Sequence, residues 1–156
     1  MSSEYDEFTN KFNQCLNSLS NNKQLHVIFD LVFSKCMSLE EKKVGQEDDE
    51  ELSKYNFDEY LKEIFNKLEQ SSPSQLEYNC KCILSILLNH EITPELKQHF
   101  FHHIITYLSF MYKKVQEEIQ KSQCNLNSTE TLSVIMVHII FFYYYFLINY
   151  YYYNSF

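Results

Sequence analysis

The carboxyl-terminal part of the sequence is uncharged, and this feature most constrains what the chain can fold into. The last charged residue is Glu130, and the 26 residues from 131 to 156 carry no charge. A helix of about 20 apolar residues crosses the roughly 30 Å hydrocarbon core of a bilayer. Residues 131–153 therefore predict a transmembrane helix, followed by a short tail at 154–156. The residues assigned to the span are Leu132, Ile135, His138, Phe142, Phe146 and Tyr150.

Polar residues inside this stretch make the predicted free energy of membrane insertion less favourable. Each Val, Ile, Leu or Phe favours insertion by about 0.3–0.6 kcal/mol, whereas His138 and Asn149 oppose it. The four consecutive tyrosines at 150–153 fit the aromatic belt found where a membrane helix meets water. His138 either faces a partner or a water path, or is a single tolerated polar residue. The alternative to a membrane span is a buried aromatic element of a soluble core.

The rest of the chain has the apolar spacing of helices. A content of 1 Gly and 2 Pro disfavours tight β-hairpins. Apolar residues recur at steps of three and four, which is the period of an amphipathic helix. Asn56, Ser72-Pro73 and Thr93-Pro94 each have the form of a helix start, with a polar capping side chain. The sequence predicts an all-α bundle of about five helices, at residues 3–19, 23–38, 56–70, 73–90 and 93–123.

The predicted domain organisation follows from these helices. Residues 1–123 form the bundle, and residues 124–130 form a linker to the apolar helix. The acidic segment 40–53 holds the single Gly and is predicted to be a mobile loop. It lacks the alternating ligands of a calcium-binding loop, so no calcium site is expected there. The predicted core residues are Phe12, Ile28, Phe65, Leu84, Leu87, Ile104 and Leu108.

Charge and composition exclude several function classes. The formal net charge of −8, with 13 Lys and no Arg, argues against a protein that binds nucleic acid. One Gly excludes a P-loop or a dinucleotide-binding fingerprint, because each needs several. Five cysteines form an odd set, and no signal peptide is evident at the amino terminus, which favours reduced thiols. Cys80 and Cys82 lie two positions apart, a spacing that does not match the thioredoxin motif.

Three histidines have a spacing found in metal sites. His99 is separated from His102 and His103 by three and four positions, so these side chains share one helical face. The zincin motif requires a Glu directly after its first His, whereas Phe100 stands there. His99, His102 and His103 are thus metal candidates only by spacing, and we expect surface histidines without metal or cofactor. No catalytic signature is present, so an enzyme is not expected.

These observations predict a non-enzymatic, tail-anchored membrane protein that presents a helical interaction domain to the cytosol and binds a protein partner. Lys113, Lys114 and Lys121 precede the span and no basic residue follows it, which places the bundle in the cytosol. The absence of a basic residue after the span also favours the endoplasmic reticulum over mitochondria as the location. Asn127 begins a glycosylation sequon, but in this topology it stays unmodified. The alternative is a soluble, cytoplasmic helical scaffold or adaptor whose aromatic tail packs on its own core or on a partner.

Overall fold

The computed structural model describes residues 3–19, 23–43, 54–89, 92–122 and 126–154. No β-strand occurs within these ranges, so the predicted all-α class is confirmed. A 3₁₀ turn, Pro73–Gln75, precedes the fourth helix. The α-helices are α1 (Glu4–Asn17), α2 (Lys23–Lys43), α3 (Phe57–Glu69), α4 (Leu76–Asn89), α5 (Pro94–Lys121) and α6 (Leu126–Asn154).

Capping side chains fix where several helices begin. Ser3 and Asp6 form a reciprocal capping box at the start of α1. The Asn56 side chain accepts a hydrogen bond from the backbone N–H of Glu59, at 3.1 Å, as the sequence predicts. Thr93 likewise accepts from the backbone N–H of Leu96, at 3.3 Å. These bonds satisfy N–H groups that have no partner within the first helical turn.

The predicted cap at Ser72 differs from the one observed. Its hydroxyl accepts from the backbone N–H of Ser74 and caps the 3₁₀ turn, and α4 begins only at Leu76. A 3₁₀ turn is a common way for a chain to enter an α-helix. Pro fits its first position because the N–H that Pro lacks would have no partner there.

Two predicted boundaries are wrong. Residues 40–43 belong to α2 and not to a loop, since α2 continues to Lys43. Leu39 is buried at this end of α2, so apolar contact extends the helix beyond its predicted end near residue 38. The remainder of the predicted loop, 44–53, lies outside the described residues. Residues 126–130 belong to α6 and not to a linker.

Aromatic side chains from three helices meet at the centre of the bundle. The Phe100 ring of α5 lies 5.4 Å from that of Phe29 and 5.1 Å from that of Phe33, measured between ring centroids. Phe65 of α3 lies 6.0 Å from Phe100. These separations are within the range at which aromatic pairs attract each other. The core thus joins α2, α3 and α5 through Phe100.

Most of the predicted core is confirmed: Phe12, Ile28, Phe65, Ile104 and Leu108 are buried. Leu84 and Leu87 are only partly buried, so their assignment as fully buried core residues is wrong. The buried face of α4 is carried instead by Cys80, Ile83 and Ile86. Leu84 and Leu87 directly follow Ile83 and Ile86 in the sequence, and the bundle covers them only in part.

One buried polar contact joins α4 to α5. Asn79 is the buried polar residue within the described ranges, and its amide donates to the hydroxyl of Tyr107 at 3.3 Å. Burial is the main reason that the pKa of Tyr107 is raised well above its usual range. The pair therefore remains a neutral hydrogen bond, which avoids the cost of burying an unpartnered polar group.

Trimming a buried leucine should destabilise the bundle far more than trimming an exposed one. Leu108 is 0% exposed, so Leu108→Ala should lower the free energy of unfolding by about 2–5 kcal/mol. Leu88 is 84% exposed, and Leu88→Ala should change it by less than about 0.5 kcal/mol. Urea denaturation followed by circular dichroism measures both. Equal losses for the two variants would contradict this packing.

Candidate functional site

The last helix, α6, is long and apolar enough to cross a membrane. Residues Thr129–Tyr152 form a stretch of 24 residues that meets both conditions. At 1.5 Å per residue, its length of about 36 Å exceeds the roughly 30 Å hydrocarbon core. A core helix of a soluble protein can satisfy the same conditions, so the packing of α6 is the more informative observation.

Helix α6 packs antiparallel to α5. Near the connection between them, the hydroxyl of Thr129 donates to the backbone carbonyl of Ser122 at 3.0 Å. Far from the connection, the rings of Phe101 and Phe146 lie 6.3 Å apart between centroids. Because an early residue of α5 meets a late residue of α6, the two helices form a hairpin.

One side of α6, which we call the inner face, packs against the bundle. Ile139, Phe142 and Phe146 are buried there. The partly buried residues of this face are Leu132, Ile135, Met136, Tyr143 and Tyr150. The residues assigned to the span from the sequence, apart from His138, thus lie on the inner face. The structure brings them together as a contact surface for the bundle.

The opposite side of α6, which we call the outer face, is exposed and apolar. Only 17% of an 18-residue apolar segment within the membrane-length stretch is buried. The outer face consists of Val134, Val137, Ile140, Phe141, Tyr144, Tyr145, Ile148, Tyr151 and Tyr152. Contiguous exposed apolar patches of this kind mark contacts with a membrane or another protein. This face is the candidate functional site.

His138 has a partner on α4. Its Nδ1 atom lies 4.0 Å from Oε2 of Glu77, and both side chains are partly exposed. Glu77 also pairs with Lys81, at 3.1 Å. The pKa of Glu77 is lowered, first by its hydrogen bond and charge interaction with Lys81 and then by the charge of His138. No local pattern in the sequence indicates this pairing, because Glu77 and His138 lie in separate helices.

Other polar side chains of α6 bond to the backbone of the helix itself. The amide of Asn149 donates to the carbonyl of Tyr145 at 2.8 Å. The hydroxyl of Ser133 donates to the carbonyl of Thr129 at 2.8 Å. Such bonds to the preceding turn satisfy polar groups without an external partner, as an apolar environment requires.

The seam between α5 and α6 is not fully packed. An open cavity of about 430 Å³ lies between the middle parts of the two helices. Its lining is mostly apolar and aromatic, but Lys113 of α5 also borders it. The residues that line it are Leu108, Ser109, Tyr112, Lys113, Ile139, Ile140, Tyr143 and Tyr144.

Two of the three metal candidates contact one carboxylate. Oδ1 of Asp58 lies 2.7 Å from Nε2 of His103 and 3.3 Å from Nδ1 of His99. His102 instead contacts the ring of His103 edge-on. Within the described ranges, no group of three or more His, Cys, Asp or Glu residues is arranged to hold a metal ion. We therefore interpret Asp58 and His103 as a contact between α3 and α5.

The cysteines and the sequon add no chemistry to this site. Cys80 and Cys82 are free and buried. Burial raises the pKa of Cys80 to about 12, and burial followed by the charge of Asp30 raises that of Cys82 to about 11. Both therefore stay protonated and unreactive at neutral pH. Asn127 falls within the bounds of α6, but its side chain lies outside the described part of the chain.

Comparison with known proteins gives no relative. No protein-family model, no curated protein and no solved structure matches this chain. The geometry of α6 and the bundle therefore provides the indication of function.

The two faces of α6 should differ in their contribution to stability. Phe146→Ala should lower the free energy of unfolding by about 3–5 kcal/mol, because this ring is 0% exposed on the inner face. Phe141→Ala removes the same atoms from a ring that is 62% exposed, and should cost less than about 0.5 kcal/mol. Thermal or urea unfolding in detergent-free buffer gives both values. A negligible effect of Phe146→Ala would show that α6 does not dock in solution.

Proposed function

We propose that α6 anchors this chain in a membrane and that α1–α5 form a non-enzymatic interaction domain on the cytosolic side. The outer face of α6 is the observation that carries this proposal. It presents an uncharged apolar surface along a helix as long as a bilayer is thick. Water contact with such a surface is unfavourable, and lipid removes that contact without requiring any specific partner.

The distribution of residues along α6 also supports a bilayer as the occupant of the outer face. Tyr151 and Tyr152 are exposed at the carboxyl-terminal end of the stretch. Aromatic side chains with a polar tip prefer the boundary between lipid and water. Exposed aliphatic residues, such as Val134 and Val137, lie nearer the other end, and Glu130 marks the start of the uncharged region.

The charges that precede α6 support the proposed orientation. Lys113 and Lys121 are exposed on α5 and precede the stretch in the sequence, by 16 and 8 residues. Basic residues next to a span remain on the cytosolic side. No Lys or Arg occurs between residues 122 and 156, and we propose the endoplasmic reticulum as the membrane that holds this anchor.

A second candidate function is a soluble helical scaffold or adaptor. It is supported by the burial of Ile139, Phe142 and Phe146 against the bundle, which is how a core helix packs. In this case a protein partner, and not lipid, covers the outer face. The two candidates differ in one measurable property, which is whether the unaltered chain stays with membranes after carbonate extraction.

A charge on the outer face should weaken membrane attachment. Val137 is 64% exposed, and a Lys there should cost roughly 2.5–3.5 kcal/mol on insertion, about a hundredfold in partition. Val27→Lys is the matched control, because Val27 is 48% exposed on α2 and away from α6. Carbonate extraction and flotation with phosphatidylcholine vesicles measure both variants against the unaltered protein. Equal partition of the Val137→Lys variant and the control would contradict the anchor.

The proposed orientation predicts where glycosylation occurs. An acceptor sequon appended after Phe156 should be modified by the lumenal transferase in microsomes, whereas Asn127 should not. A shift in gel mobility that is reversed by endoglycosidase reports modification. Modification of Asn127 instead would reverse the orientation. Modification of neither site, together with full solubility in carbonate, would favour the scaffold.

A further inference from the structure

Charged groups of the bundle lie level with the middle of docked α6. The midpoint of Thr129–Tyr152 falls between Ile140 and Phe141. Lys113 of α5 borders the same cavity as Ile139 and Ile140. Glu77 of α4 lies beside His138, within one turn of this midpoint. Charges from two helices therefore stand at the depth that the centre of a bilayer would occupy.

A docked α6 cannot carry these groups across a bilayer. A charged side chain at the centre of the hydrocarbon is strongly disfavoured, and Glu77 and Lys81 form a pair that is half in water. Helix α5 also carries Glu117, Glu118 and Lys121 toward its end, so it is not itself a membrane helix. Insertion of the intact hairpin would bring Glu77 and Lys113 into lipid.

We infer that α6 must leave its groove on α4 and α5 in order to span a membrane, so that docking and anchoring are alternative states of one helix. This inference rests on the proposed anchor function and adds its mechanism. In the docked state the inner face is covered by protein. In the anchored state the inner and outer faces both contact lipid, which suits a helix that is apolar on all sides.

The contacts of the bundle show how it can persist without α6. Lys114 of α5 donates to the backbone carbonyl of Glu69, the last residue of α3, at 3.3 Å and to that of Ser71 at 3.2 Å. Asp58 and His103 join the opposite end of α3 to α5. These bonds and the Phe100 contacts involve no residue of α6, so its release leaves the contacts of α5 with α2 and α3 in place.

A tether between α4 and α6 tests the inference. Glu77→Cys and His138→Cys place two thiols where the structure has partly exposed side chains 4.0 Å apart. Cys15 and Cys124 are replaced with Ser, while Cys36, Cys80 and Cys82 stay, since burial raises each of their pKa values and keeps them unreactive. A short bismaleimide then joins α4 to α6.

The matched control carries the same cross-link within one helix. Glu77→Cys with Lys81→Cys uses a pair that lies 3.1 Å apart on α4, so its cross-link leaves α6 free. Each protein is compared with itself before and after cross-linking. A peptide tag appended after Phe156 reports spanning, because it becomes protected from external protease when α6 crosses the wall of a phosphatidylcholine vesicle. Circular dichroism checks that each protein remains helical.

The inference requires that the tether between α4 and α6 reduce protection of the tag by about tenfold or more, while the control cross-link changes nothing. A tethered protein that floats with vesicles but leaves its tag unprotected also supports it. Equal protection with and without the tether would overturn the release and leave the anchor intact. Absence of protection in every protein, including the untethered ones, would overturn the anchor itself and the release with it.

Discussion

The packing of Phe100 against α2 and α3 is the interaction on which the other helices depend. Its ring lies close to those of Phe29, Phe33 and Phe65, so it fixes the position of α5 at the centre of the bundle. Helix α5 then offers its remaining apolar side to α6, where Phe101 meets Phe146. Adjacent residues of α5 therefore serve two purposes. Phe100 closes the core of α2 and α3, and Phe101 begins the groove for the last helix.

Helix α6 has more apolar surface than its neighbours can cover. An ordinary surface helix presents one apolar stripe to the core and a polar face to water. Here the bundle buries Ile139, Phe142 and Phe146, and the other side remains equally apolar. Docking thus removes only part of the contact with water, and the excess has to be covered by lipid or protein. The excess of exposed apolar surface therefore indicates that α6 contacts lipid or a partner, which the length of the helix alone does not indicate.

Local signals in the sequence predicted most helix starts, because a cap depends on residues three positions apart. The cap of Asn56 on Glu59 is an example. The extent to which a side chain is buried is harder to predict from sequence. Leu84 shares the helical period of α4, but the neighbouring helices determine which side of α4 is most buried. The partner of His138 was beyond sequence reasoning, because Glu77 approaches only through tertiary packing. The end of α2 was missed since Leu39 is held by contacts distant in sequence.

The polar side chains of α6 have a kinetic consequence. Asn149 and Ser133 are bonded to carbonyls of their own helix, at Tyr145 and Thr129. These bonds travel with the helix, so they need not break during transfer from groove to lipid, whereas the pairing of His138 with Glu77 and the dispersion contacts of the inner face are exchanged. The bonds of Asn149 and Ser133 therefore add nothing to the barrier to relocation. The helix can therefore change its surroundings without changing its fold.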